Sequence, residues 1–265
     1  SEMCIRDRCV LYAGYYVLSR GDSFSQMALN ILHIPVNFGC EIGHLWYIYM
    51  LIGLYLVTPI ISPWLQQASK RELEGYLGLW IITTFLPYIH LVYPEVLGEA
   101  FWNDTPLLYY FTGFIGYFIL GYYLKRFGYP SAALSWIILI VGFALSAGIF
   151  CSRIDTVPTV PELELSWGFC TVNVFLMTLG LFSLIGRLSL KGKNAACKLL
   201  SDISIKSYGM YLAHILFLNF YYGLFKSISD AAYVTIPLIA VCTFITVYIF
   251  VYLLSYLPKS KYIIG

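Results

Sequence analysis

The chain is built from long, uninterrupted apolar runs separated by short charged connections. Seven of these runs approach or exceed the roughly 20 apolar residues that a bilayer-crossing helix requires, at 44–61, 76–93, 107–124, 132–150, 167–185, 205–225 and 233–257. They are continuous rather than alternating, so they predict helices that satisfy their own backbone hydrogen bonds, not strands. A shorter run at 9–18 predicts the tail of a further helix. The expected fold class is all-α: a polytopic transmembrane helical bundle with about seven complete spans plus a partial N-terminal helix. Only 11% of the residues are charged, against about a quarter in soluble domains, so water is not this chain's main solvent. Pro59, Pro87 and Pro237 lie in or near the runs, where membrane helices tolerate kinks.

Residues 1–8 (SEMCIRDR) are polar and charged, and read as a truncation or reading-frame scar. Residues 9–265 read as a single transmembrane domain, with the 9–18 run as a helix whose beginning is missing. The connections carry an orientation. If the chain threads back and forth through the expected spans, 13 of the 16 basic residues fall on one side, leaving Arg20, Arg153 and Lys226 on the other. Basic loops favour the cytoplasm, which predicts a multi-pass protein with its C-terminus on that side. The opposite connections carry Asp22, Glu41, Glu95, Glu99, Asp104, Asp155, Glu162, Glu164 and Asp230. Between Ser23 and His33, Phe24, Met27, Ala28, Ile31 and Leu32 recur on one helical face, predicting a short interfacial helix at the outer surface. A net charge of +2 argues against nucleic acid as a partner. The partners expected from this frame are membrane lipids.

Chemistry-bearing groups inside the runs are few, and such groups are functional candidates because burying them in lipid is costly. His214 lies near the middle of its run, His90 near the outer end of another beside Pro87, and His44 at the outer edge of the first full run. His214 either lines a substrate tunnel or is a neutral imidazole bonded to a carbonyl of a neighbouring helix. Neither His90 nor His214 has a carboxylate three or four residues away, so no acid–base pair is visible at either. The basic stretch 187–198 (RLSLKGKNAACK) either holds phosphates of a nucleotide-type donor or only sets topology. Walker and GxGxxG patterns are absent, as is any zinc-ligand spacing, so no metal site is expected. The seven cysteines form no CxxC pair; Cys40 and Cys151 share the expected outer side, and their pairing is left open. Aromatic clusters such as Tyr109–Phe111 and Tyr221–Tyr222 lie near run ends, as in an interfacial belt, with sugar stacking as the alternative.

Three segments carry a family resemblance. HLWYIYMLIGLYLVTP at 44–59 resembles the "HLWY…YL…P" helix of the membrane acyltransferase 3 family. SIKSYGMYLAH at 204–214 is similar to its late "S.YGIYLIH" helix, and YFILGYYL at 117–124 to its "YFLLGYYL" helix. The matches keep the family's order and spacing, and the resemblance extends from about residue 9 to the end. It implies an enzyme of ten helices that moves an acyl group, usually acetyl, from cytoplasmic acyl-CoA to a carbohydrate of the cell envelope. Acyl-CoA, with acetyl-CoA foremost, is then the donor substrate, the carbohydrate is the acceptor, and no cofactor is tightly bound.

The family's first helix carries an Arg followed, after ten intervening residues, by a His thought to be catalytic. This chain has no such pair; Arg20 and His33 stand at another interval in a connection. The resemblance therefore implies that the principal catalytic His lies upstream and that residues 9–265 are the C-terminal part of the acyltransferase domain, inactive alone. Within this chain the candidate catalytic residue is His214. His44, Trp46 and Tyr208 are the candidates for acceptor binding, and Arg126, Arg187, Lys191 and Lys193 for acyl-CoA binding. A transporter or flippase for a lipid-linked sugar is the alternative function, needing the same frame and the same mid-membrane polar groups.

Overall fold

The computed structural model describes residue 17 and residues 23–33, 46–98, 100, 102, 105–188, 195–226 and 231–257. The elements they form are α1 (Phe24–His33), α2 (Trp46–Gln67), α3 (Lys70–Thr83), α4 (Leu86–Ile89), α5 (Ile115–Phe127), α6 (Ala132–Arg153), α7 (Val160–Leu163), α8 (Val172–Gly186), α9 (Ala195–Lys226) and α10 (Ala232–Leu254), with short 3-10 turns at Val96–Gly98, Tyr109–Phe111 and Glu164–Trp167. The expected all-α class is met: among the described residues there is no strand. The 9–18 run lies outside the described residues except for position 17. The amphipathic stretch after Ser23 is the helix α1, whose first turn Ser23 caps by accepting from the Gln26 amide.

Among the described residues three helices are long and apolar enough to cross a membrane, α2, α6 and α10, against the seven expected for the chain. Only 11% of the most apolar stretch of α6 is buried within the protein. Ile137, Ile140 and Phe143 are more than half exposed on it. An apolar helix bare on most of its circumference is what a lipid-facing span requires. A fourth span exists if the Glu164–Trp167 turn with α7 is taken together with α8, bent by 42°.

The other expected spans differ for identifiable reasons. The 76–93 run breaks after α3, where the Thr83 and Thr84 hydroxyls donate back to the Trp80 and Ile81 carbonyls. Pro87 then sits in the first turn of α4, where its missing N–H costs nothing, so it starts a helix instead of kinking one. The 107–124 run is turn and 3-10 up to Phe111 and becomes α-helical at Ile115. Helix α9 has ample length at 32 residues, but Tyr, His214 and Asn219 lower its apolarity. It also begins at Ala195, earlier than expected, because Lys198, Asp202 and Lys206 follow at the four-residue spacing that supports a helix surface.

The chain forms two compact units, Ser1–Tyr49 with Leu190–Gly265, and Met50–Ser189. In the second unit, Trp80 is fully buried, donates from Nε1 to the Gly113 carbonyl at 3.0 Å, and packs edge-on against Tyr117 and Phe175. Gly116 allows this, since any side chain there would enter the Trp80 ring. Helices α6 and α8 approach through small residues: a Cβ on Gly142 would lie 2.7 Å from the Met177 nitrogen, and one on Gly180 2.7 Å from both the Leu139 nitrogen and the Ser135 carbonyl. Asn173, fully buried at the start of α8, donates to Ser146 Oγ at 2.7 Å and to the Ser166 carbonyl at 2.8 Å, and accepts from the Tyr88 hydroxyl at 2.6 Å. This one amide ties α4, α6, α8 and the 3-10 turn before α8 together. At the other end of this unit, α3 opens with a reciprocal Ser69–Glu72 cap, whose hydrogen bonds hold the Glu72 carboxyl below the usual range.

Candidate functional site

The first unit holds a groove of about 410 Å³ between α9 and α10. Met210, Ala213, Val247 and Val251 pack the two helices together beside it. Its walls are mostly apolar, with Met210, Phe244 and Val247 among them. The polar groups on it are Ser207, Tyr211, His214 and Thr243. Between Lys206 and Lys226, α9 runs 19 residues without a charge, ~28 Å of helix at 1.5 Å per residue. That nearly matches a hydrocarbon core of ~30 Å, and it sets His214 ~12 Å in from Lys206.

His214 Nδ1 lies 2.5 Å from the Tyr211 carbonyl of its own helix. A carbonyl only accepts, so Nδ1 carries a proton, and in the uncharged form of the ring the lone pair sits on Nε2. The carbonyl it meets belongs to its own helix, not to the neighbouring helix the sequence reading named, and the ring borders the groove. Its ring is 5.6 Å from that of Tyr211, which meets Tyr47 at 5.3 Å; Tyr47 in turn meets Trp46 at 6.2 Å. Two of the motifs picked out in the sequence, one at the start of α2 and one late in the chain, therefore converge through a run of aromatic rings. Tyr208 lies beside Tyr211 at that place.

At the end of the groove lined by Ile203 and Ser207, Lys206 is nearly buried and pairs with Asp202, whose second oxygen accepts from the Tyr248 hydroxyl at 2.7 Å. The Lys206 ammonium also sits 5.3 Å from the Tyr252 ring centre. These bonds, that of Lys206 first, hold the Asp202 carboxyl below its ordinary range. A nearly buried ammonium is tolerable only with such a partner, so the arrangement clasps α9 to α10 across the groove's lower end.

The remaining candidates from the sequence fall as follows. His44, Lys191 and Lys193 lie outside the described residues, as does Cys40. Arg126 and Arg187 are exposed, and each holds backbone carbonyls: Arg126 Nη1 donates to those of Leu65 and Ala68 at 3.0 and 3.1 Å, at the C-terminal end of α2, and Arg187 Nη2 to those of Tyr129 and Pro130. Arg126 also stacks on Phe127. Each guanidinium has five donors, so those bonds leave others for a further ligand. Cys151, Cys170, Cys197 and Cys242 form no disulfide. Among the described residues no group of His, Cys, Asp or Glu could hold a metal ion. His90 ends α4 and borders a separate cavity of about 220 Å³ with Tyr109, Thr112 and Cys170, all within the second unit.

Three groups escaped the sequence reading. Asp202 was legible as the i,i+4 partner of Lys206. Asn173 and Thr243 are isolated polar residues in apolar runs, and their weight depends on neighbours distant in sequence.

Among the described residues the apolar, largely bare helices define an integral membrane protein, and the imidazole-bearing groove between α9 and α10 is its candidate site. Comparison with known families matches the acyltransferase domain of the acyltransferase 3 family over residues 8–256. The chain belongs to that family and is an acyltransferase. No curated protein and no solved structure matches it.

Proposed function

We propose that the protein is an O-acyltransferase of the cell envelope. It transfers an acyl group, acetyl foremost, from cytoplasmic acyl-CoA to a carbohydrate hydroxyl of a surface glycan or of its lipid-linked precursor. It sits in an inner, cytoplasmic-type membrane with its C-terminus on the cytoplasmic side, the orientation favoured by its basic connections. The observation that carries the reading is the α9–α10 groove: apolar walls suited to an acyl group, with one imidazole whose basic nitrogen is set by the bond at its other.

In this reading the acceptor hydroxyl adds to the thioester carbonyl carbon while Nε2 of His214 takes its proton. The tetrahedral intermediate collapses, the C–S bond breaks, and the thiolate leaves with that proton, giving ester and free CoA. General-base assistance of this kind contributes about 10²–10⁴-fold, and holding donor and acceptor together supplies much of the rest. Trp46, Tyr208 and His44 are assigned to the acceptor, whose ring faces stack on aromatic side chains. Arg126, Arg187, Lys191 and Lys193 are assigned to the CoA phosphates, as mobile or forked cations suit them. The donor is a substrate, and no tightly bound cofactor is invoked.

The test is transfer of radiolabel from acetyl-CoA to membrane-associated carbohydrate, with the chain expressed from its complete reading frame. The reading expects carbohydrate-bound label that falls about a hundredfold or more in His214→Ala. Movement of a lipid-linked sugar with no label transfer would replace it by the transporter reading.

A further inference from the structure

We propose that the Thr243 hydroxyl is a ligand-binding donor that holds the carbonyl oxygen of the acyl group in the α9–α10 groove; the proposal rests on the acyltransferase reading of that groove. Thr243 lies at the midpoint of α10, is only 6% exposed, and lines the groove with Ser207 and His214. Its Oγ1 is buried and has no hydrogen-bond partner.

Most hydroxyls on the apolar helices are met within their own helix; Ser183 Oγ on α8 is also buried without a partner, but Ser183 does not line this groove. Thr58 donates to the Leu54 carbonyl at 2.6 Å, Ser62 to that of Thr58 at 2.7 Å, Ser135 to that of Ser131 at 2.9 Å, and Thr235 to that of Ala231 at 3.1 Å. Each follows the usual solution for a hydroxyl in a membrane helix, a bond to the carbonyl one turn back. Thr243 departs from it at the one place where α10 borders a cavity shared with an imidazole. A buried hydroxyl left unmet is costly and points to a partner that is not protein.

The chemistry of the lining narrows what that partner is. Among the described residues no charged side chain lines the groove, so a phosphate gains nothing from them there. The polar groups are too few for the many hydroxyls of a sugar ring. What fits is a neutral, mainly apolar group with one acceptor oxygen, and an acyl thioester is such a group. Held by Thr243, its carbonyl oxygen is fixed while the carbonyl carbon remains open to the acceptor on the His214 side.

The test compares two ligands that differ only at that oxygen. Binding of acetyl-CoA and of S-ethyl-CoA, which has CH₂ in place of the carbonyl, is measured on the purified full chain in detergent for wild type, Thr243→Val and Thr243→Ser. Valine keeps the shape of threonine and removes the hydroxyl. The expected result is a loss of about fivefold in acetyl-CoA affinity in Thr243→Val, the worth of one neutral hydrogen bond. S-ethyl-CoA affinity should stay unchanged in that variant, and Thr243→Ser should retain wild-type preference for acetyl-CoA. Equal losses for both ligands would assign Thr243 a packing role and overturn the proposal, as would no loss for either. If the wild type binds neither ligand, the acyl-CoA reading of the groove falls first and the proposal with it.

Discussion

Replacing Asn173 by Leu should destabilise the second unit by about 2 to 5 kcal/mol. The buried amide makes three hydrogen bonds, to Ser146, to the Ser166 carbonyl and from Tyr88, all between 2.6 and 2.8 Å. Side-chain hydrogen bonds between membrane helices average about 0.6 kcal/mol and reach about 1.7, and three of them bound the range. Leucine has nearly the volume of asparagine's site, so no large cavity adds to the loss. Tyr88→Phe removes one of the three bonds, whose single proton also faces the Leu165 carbonyl at 3.1 Å, and should cost about 0.6 to 1.7 kcal/mol. Because the two variants share the Tyr88–Asn173 bond, the double variant should fall short of additivity by about the worth of that bond, 0.6 to 1.7 kcal/mol. The assay is reversible unfolding in mixed micelles at rising SDS fraction, followed by far-UV circular dichroism. Asn173→Leu within about 0.5 kcal/mol of wild type, the range of an ordinary surface change, would refute the view that this amide holds α4, α6 and α8 together.

Gly180→Val should force α6 and α8 apart, since its first carbon would already lie 2.7 Å from two backbone atoms; a loss of about 1–3 kcal/mol or more in the same unfolding assay is expected. The Asp202 clasp should respond to acid. Its folded pKa is held below the unfolded value of about 3.9, so its contribution is present above about pH 4 and lost as pH falls toward the folded value. Thermal unfolding of Asp202→Asn should lack that acid-side loss while wild type shows it. Gly116→Ala should displace the Trp80 ring, read as a red shift of tryptophan emission and a lower unfolding temperature.

Much of the frame was legible in the sequence because lipid imposes a simple rule: backbone must be paired within a segment and the segment must be apolar. That rule located α2, α6 and α10 to within a few residues, apart from the C-terminal end of α2, which runs on to Gln67. It failed where side chains close the helix early. Thr83 and Thr84 end α3 through their own hydroxyls, and Pro87 then acts as a helix starter; a hydropathy run counts these residues as span. The site was half legible. His214 stood out as a lone imidazole deep in an apolar run, and Trp46 as part of the first motif. Thr243 did not, because one threonine in a long apolar helix ordinarily bonds its own backbone. Only the facing wall of α9 shows that this one does not. Arg126 shows the opposite limit: its charge was visible, but its bonds to the end of α2 come from residues some sixty positions earlier.

The most direct test of the account is to find where the acyl group lies. An acyl-CoA bearing a photoreactive diazirine in its acyl chain is irradiated with the purified chain, and the modified peptides are located by mass spectrometry. The account predicts adducts on the two walls of the groove, around Met210–His214 on α9 and Thr243–Val247 on α10, competed away by excess acetyl-CoA. Competed adducts confined to other helices, with both walls unmodified, would contradict it.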